Sequence, residues 1–283
     1  MQDPVALRGS AQSRVRWELL ANLVRKDLKV KYKNSALGFV WSLANPLLYL
    51  AVFSLVFQIF LKNGVSHFAV LFMSGLLVWN FFNLATLTAS GSVVGSASLV
   101  KKVRFPRLVL PLASVGFAAV HLGLQLGVLF AFLLLLYRDF IGPQLVLPPL
   151  ALGVAVTFTV ALSLLVSALN VRYRDVEHLL ELLLLAWFWL TPIVYQVALV
   201  KAKLGRLFWL YMLNPMAAVT TAMQRALYRH PFDPGASHRP VLAAGGYGFY
   251  LRWLGVAAAL SLALLWLALR VFRRLQADFA EEL

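Results

Sequence analysis

Long apolar runs alternate along this chain with short polar, mostly basic segments. Six runs are uncharged or nearly so: Ala36–Leu61, Phe68–Val93, Leu108–Tyr137, Leu145–Asn170, Leu179–Val200 and Tyr247–Leu269. Each is long enough to cross a hydrocarbon core of roughly 30 Å with some tilt. Hydrocarbon offers the backbone no hydrogen bonds, so a span is a helix or part of a closed barrel. The runs lack the two-residue alternation of barrel strands, which selects helices. Pro148 and Pro149 fall in the first turn of the fourth run, where proline is tolerated, and Pro192 lies inside the fifth. The pattern predicts an all-α membrane protein with six transmembrane helices. Residues 1–35 are polar and basic, so the first run reads as a retained span rather than a cleaved signal.

Three segments outside the spans have patterns of their own. Within 14–33, Trp17, Leu20, Val24 and Leu28 recur at helical spacing among Arg14, Arg16, Arg25, Lys26 and Lys29. This predicts an amphipathic helix in the membrane interface, either a plain anchor or a guiding surface at the mouth of a pathway. Val94–Arg107 carries Leu99, Val100, Val103 and Phe105 beside cations, with Ser96 placed to cap a short helix and Pro106 to end it. It reads either as a basic turn that sets topology or as a protruding helix that inserts into a cytoplasmic partner. The connection 196–246 holds an aromatic patch, Leu207–Leu213, then Asn214-Pro215 and a possible short helix Ala217–Tyr228. Short re-entrant or interfacial helices at the outer surface fit it best, followed by a turn-rich tail, His230–Gly246.

Composition agrees with a membrane bundle. Hydrophobic residues are 61% and charged residues 13% of 283, and mean hydropathy is +0.79. An ordinary cytosolic enzyme carries about 25% charged residues. Cys is absent, which excludes disulfides, a thiolate nucleophile and Cys-ligated metal. The net charge of +15 follows membrane sidedness. The N-terminal arm, Lys101–Arg107, the Arg172–Arg174 turn and Arg270–Arg274 share one side, whereas most opposing cations lie in the single long connection 201–246. The positive-inside rule then places both termini in the cytoplasm, and anionic lipid accounts for the charge without nucleic acid.

Catalytic signatures are missing. There is no G-x-x-x-x-G-K-[ST] phosphate loop, no H-E-x-x-H and no G-x-S-x-G elbow. Carboxylates before the long outer connection are few. Asp175 and Glu177 neighbour Arg172 and Arg174 and suggest a salt-bridge cluster, and Glu181 sits one turn from the interface, where it can snorkel. His121, alone inside a span, reads as a hydrogen-bonded helix contact rather than a proton relay. Energy for any transport then comes from another chain. Aromatic residues recur at Trp41, Tyr49, Phe53, Phe57 and Phe60, at Trp79, Phe81 and Phe82, and at Trp187, Phe188, Trp189 and Tyr195. Most such residues pack against lipid or form interfacial belts. The alternative is a pathway in which Trp41, Tyr49, Trp79, Phe82, Trp187 and Tyr195 offer apolar faces and polar tips, a combination suited to sugar rings.

The segment RKDLKVKYKNSALGFVWSLANPLL resembles the opening of the type-two membrane subunits of ABC exporters, in particular the polysaccharide and polyol-phosphate export permeases. The matching residues are Arg25, Asp27, Tyr32, Ser35, Leu37, Gly38, Trp41 and Pro46. KKVRFPRLVLP (Lys102, Phe105, Pro106, Pro111), NVRYRD (Asn170, Arg172, Tyr173, Arg174, Asp175), TPIVY (Thr191, Pro192, Ile193, Tyr195) and Asn214-Pro215 resemble later parts of the same pattern.

The resemblance implies a cytoplasmic arm, 1–35, and a permease domain, 36–283. The permease would form a homodimer in the bacterial cytoplasmic (inner) membrane and pair with two copies of a separate ABC ATPase. It would serve cell-envelope biogenesis by exporting an undecaprenyl-linked polysaccharide: an O-antigen-like glycan, galactan or teichoic acid. No cofactor or metal is expected on this chain, because ATP and Mg belong to the ATPase. The arm becomes an entrance gate with Arg25, Lys26, Asp27 and Tyr32. The loop Val94–Arg107 becomes a coupling helix seated in the ATPase through Ser98, Leu99, Lys101, Lys102, Arg104 and Phe105. Helices about 204–230 become an outer gate. Rival readings are a drug, lipid or haem exporter of the same superfamily, a stand-alone membrane glycosyltransferase or flippase, and a scaffold that only recruits a partner.

Overall fold

The computed structural model describes residues 4–33, 35, 38–60, 65, 67–103, 105–136, 143–228, 240–243 and 245–283. Every helix or strand element among them is helical. Among the described residues four helices are long and apolar enough to cross a membrane: α3 (Phe68–Ser90), α5 (Val109–Leu136), α6 (Leu147–Arg172) and α11 (Tyr247–Leu275), numbered after α1 (Pro4–Tyr32), α2 (Trp41–Ser54) and, in order, those below. They correspond to the second, third, fourth and sixth expected runs. α3 is the centre of the bundle, with 72% of its most apolar stretch buried, against 22% for α11 at the periphery.

The first expected span is α2, which continues as π-helix over Leu55–Phe60. Pro46 lies inside it and leaves the Ser42 carbonyl without its usual helical donor. A 3-10 turn at Gly38–Val40 precedes α2. Gly38 has φ +47, and its N–H donates to Ser35 Oγ at 3.0 Å. A β-carbon in that left-handed conformation costs about 1–2 kcal/mol, which gives Ser35 and Gly38 of the Ser-x-Leu-Gly pattern a physical reason.

The fifth expected span departs from its run. Its helix, α7 (Val176–Trp189), stops at Trp189, and Leu190–Gln196 form turns before α8 (Val197–Leu204). Pro192 does not sit within a continuous helix, as the run implied. It lacks an N–H and disfavours helical backbone at Thr191, so the helix ends there.

Helix α9 (Phe208–Met212) leads into α10 (Pro215–Tyr228). Asn214 is the N-cap of α10: its Oδ1 accepts from the Met216 N–H at 3.0 Å, and Pro215 takes the first helical position. α10 packs against α3, α6 and α11 and is buried along nearly its whole length, so it lies within the bundle, while α8 is exposed over its last turn. Gly75 of α3 makes room for it, since a β-carbon there would meet Thr220 Cγ2 at 2.8 Å. Of the expected turn-rich tail, residues 229–239 and 244 lie outside the described residues; Val241, Leu242 and Ala243 are buried, and Tyr250 donates to the Ala243 carbonyl at 3.1 Å.

Several hydroxyls buried in the bundle return to their own helices. Thr86 donates to Phe82 O, Thr159 to Ala155 O and Ser261 to Ala257 O, at 2.6–2.7 Å. Such back-bonds satisfy a polar group where no water reaches.

A second apolar cluster closes the end of the bundle near α4 (Ala97–Lys102). It joins Val93 and Val100 to Leu164 and Ala168 of α6, Phe272 of α11 and Phe279 of α12 (Phe279–Glu282). Ser96 stands at the N-cap of α4 but makes no capping bond, contrary to the sequence expectation, because a 3-10 turn, Val94–Ser96, already feeds the helix. Nearby, Asn170 donates to the Ser90 carbonyl at 3.1 Å and to Glu177 Oε2 at 3.5 Å, tying α6 to α3 and α7. The expected salt-bridge cluster does not form: among the described residues neither Arg172 nor Arg174 pairs with Asp175 or Glu177. Both arginines are exposed, and Arg172 instead lies over the Tyr173 ring at 5.8 Å, where solvated charges gain little from pairing.

Candidate functional site

A cavity of about 680 Å³ opens between α2, α3, α5 and α7. Its walls are aromatic: Trp41, Tyr49 and Phe53 come from α2, Trp79 and Phe81 from α3, and Phe188 and Trp189 from α7. The packing that holds them is also aromatic. Trp79 meets Phe188 edge-on with centroids 5.7 Å apart, and Phe53 contacts Phe188 at 6.3 Å. Trp79 is 3% exposed whereas Trp41 is 59% exposed, so the first is a fixed wall and the second a free face at the rim.

The sequence reading passed over the polar half of this lining. Asn45, Asn80, Asn83, Gln125 and His121 all reach the cavity, and Lys31 closes one end. Asn80 and Asn83 lie three apart and therefore share one helix face. Uncharged amides inside an otherwise apolar run were the available signal, since polar groups are costly in hydrocarbon and retained for a use. Among the described residues no carboxylate lines the cavity. The lining therefore offers hydrogen bonding from amides and contact with ring faces, beside the His121 imidazole and the Lys31 ammonium. Among the described residues no group of three His, Asp or Glu side chains could hold a metal.

Of the six aromatic pathway candidates, Trp41, Tyr49 and Trp79 line the cavity. Phe82, Trp187 and Tyr195 do not; they connect the cavity wall to the α7–α10 region. Phe82 is fully buried, edge-on to Trp79 at 5.3 Å and to Trp187 at 5.4 Å. The Trp187 indole donates to Asn214 Oδ1 at 3.0 Å, the same oxygen that caps α10. Gln224 of α10 donates to the Pro192 carbonyl at 2.8 Å, freed by the end of α7. Tyr195 donates to the Trp189 carbonyl at 2.8 Å and lies 3.1 Å from the Tyr211 hydroxyl. These bonds fasten α9 and α10 to the broken end of α7.

The entrance-gate candidates lie at the C-terminal end of α1. Tyr32 shares a 2.7 Å hydrogen bond with His121 Nε2, whose Nδ1 faces the Phe117 carbonyl at 2.9 Å. His121 is the hydrogen-bonded helix contact that its position suggested. Lys26 and Asp27 pair weakly at 4.0 Å, and both line a second, more polar cleft of about 380 Å³ between α1, the α3 terminus and α5. Lys31 lines both spaces, 5.1 Å from the Phe117 ring centroid, and burial pushes its ammonium below the usual lysine pKa. Arg25 is exposed and lines neither. Trp17 at the far end of the apolar stripe is 68% exposed, whereas Val24 touches α5: a β-carbon at Gly116 would meet Val24 Cγ2 at 2.9 Å.

The coupling candidates gather on and after α4. Ser98, Lys101 and Lys102 are exposed, Leu99 is half-buried, and Phe105 is half-buried against the second apolar cluster. Arg104 lies outside the described residues.

Comparison with known proteins places this arrangement. Residues 18–228 match the family described as ABC-2 type transporter. The chain is 32% identical over 265 residues to the O-antigen export system permease protein RfbA of Myxococcus xanthus, covering 94% of this chain and 95% of that protein. It is also 31% identical over 204 residues to an O-antigen export system permease protein RfbA of Klebsiella pneumoniae, covering 72% and 77%. The lining residues of both cavities, α4 and the α7–α10 fastening thus lie within the matched segment, and the chain belongs to the ABC-2 type transporter family.

Proposed function

We propose that this permease carries a lipid-linked O-antigen-like polysaccharide out of the bacterial cytoplasm, driven by a separate ABC ATPase. One observation carries the substrate class: a cavity lined by aromatic faces together with the Asn45, Asn80, Asn83 and Gln125 amides, and by no carboxylate among the described residues. Sugar rings offer C–H patches to aromatic faces and hydroxyls to amides. The names of the relatives support the same class.

In this reading residues 1–35 form the arm and 36–283 the permease body. The body has six crossings, counting α2 with its π-helical extension and α7 with the turns that follow it. Both termini face the cytoplasm of the inner membrane, as the basic flanks of α1, α4 and α11 favour. Two copies face each other so that their cavities join into one conduit, and the glycan's lipid anchor stays in the surrounding bilayer. The α1 end, fastened at Tyr32–His121, gates the entrance. α10 and its neighbours gate the exit. α4 docks on the ATPase, which binds ATP and Mg, and the chain itself catalyses no bond cleavage.

The purified permease–ATPase complex tests the substrate class. Lipid-linked glycan stimulates its ATP hydrolysis, and Trp41→Ala or Asn80→Leu weakens half-maximal stimulation about two- to tenfold, as loss of one aromatic or amide contact worth about 0.5–1.5 kcal/mol requires. Stimulation by hydrophobic drugs or haem, with none by glycan, rejects the proposal in favour of the rival exporters.

A further inference from the structure

α4 is six residues long, too short to hold a helix by itself. Its N-cap makes no side-chain bond, and the chain becomes extended immediately after it, at Val103. Its one buried residue, Val100, is 4% exposed and belongs to the second apolar cluster. Whatever fixes the direction of α4 therefore lies beneath it.

What lies beneath includes the end of the chain. After α11 the backbone turns at Gln276–Asp278 and brings α12 against α4. Arg107, two residues before α5, donates from its guanidinium to the Gln276 carbonyl and stands 5.9 Å from the centroid of the Phe279 ring. Phe279 is 1% exposed and meets Phe272 edge-on at 5.4 Å. Lys101, Lys102 and Val103 remain exposed above, and neither lysine forms an ion pair among the described residues.

We propose that α12 is the seat that orients α4 for the ATPase, with Phe279 and Arg107 as its positioning residues. The inference rests on reading α4 as the ATPase-docking element. Motion received by α4 then reaches α11 through Phe279 and Phe272, as well as α3 and α5 through the chain itself. A short helix on a cluster of buried side chains moves as one body with them, because packed interiors yield little.

The test titrates ATPase subunit onto the full-length permease in nanodiscs and follows amide hydrogen exchange. Phe279→Ala weakens ATPase binding tenfold or more and speeds exchange over residues 97–103, while α3 and α6 keep their protection. Phe279→Leu, which retains apolar volume, restores both. Wild-type affinity for Phe279→Ala overturns the inference. So does weakened binding accompanied by lost protection throughout α3 and α6, because Phe279 then serves only general stability. The double variant Lys101→Glu/Lys102→Glu separates this from failure of the underlying reading. If it leaves affinity unchanged, α4 is not the docking element and both fall. If it weakens binding while Phe279→Ala does not, only the seat is rejected.

Discussion

Gly38, Gly75 and Gly116 each mark a place where one added carbon has a definite cost. Gly116→Leu drives a side chain into Val24 and lifts α1 from α5; faster hydrogen exchange in the C-terminal half of α1, with α5 unchanged, is the expected result. Tyr32→Phe removes the bond to His121 and loosens the same contact by about 0.5–1.5 kcal/mol, read as a roughly two- to tenfold rise in exchange at the end of α1. Gly75→Val places its branches against Thr220 and lowers the thermal midpoint of the whole permease, since overpacking costs about 1–3 kcal/mol. The residues that line the cavity were only half legible in sequence. Trp41, Tyr49 and Trp79 stood out because aromatic side chains are large and recur. Asn45, Asn80, Asn83 and Gln125 did not, because an amide without charge barely alters the hydropathy of a run, and only the crossing of α2, α3 and α5 brings these amides to one space.

At the scale of elements, hydropathy identified α3, α5, α6 and α11, where a long apolar run and a long helix are the same object. It misjudged the end of α7. The run continues through Leu190–Val200, but apolar residues fill the turns there as readily as a helix, and Pro192 decides the outcome. The apparent charge cluster at 172–177 failed for a related reason. Nearness in sequence does not pair charges that water already solvates, and Glu177 takes Asn170 as its partner instead. The fastening of α10 to α7 was legible only as a pair of residues, Asn214-Pro215, whose use appears when the Trp187 indole donates to Asn214, while Gln224 of α10 ties separately to the Pro192 carbonyl. Asn214→Ala removes the α10 cap and leaves the Trp187 indole unpaired; the expected cost is about 1–3 kcal/mol of stability, concentrated in faster exchange over Pro215–Tyr228. Trp187→Phe, which keeps the ring contact with Phe82 but loses the donor, costs less and leaves the cap intact.

At the scale of the molecule, the chain holds a cavity, two fastened ends and an exposed short helix, and it carries no nucleotide-binding loop in its sequence. The proposed function therefore assigns the driving motion to a separate ATPase. The direct measurement is ATP-dependent transfer of lipid-linked glycan across vesicles that contain the permease and its ATPase, with a hydrolysis-deficient ATPase as the control. The account predicts transfer with the intact ATPase, none with the deficient one or with the permease alone, and reduced transfer for Trp41→Ala with assembly unchanged. Equal transfer by the permease alone, without nucleotide, would contradict it.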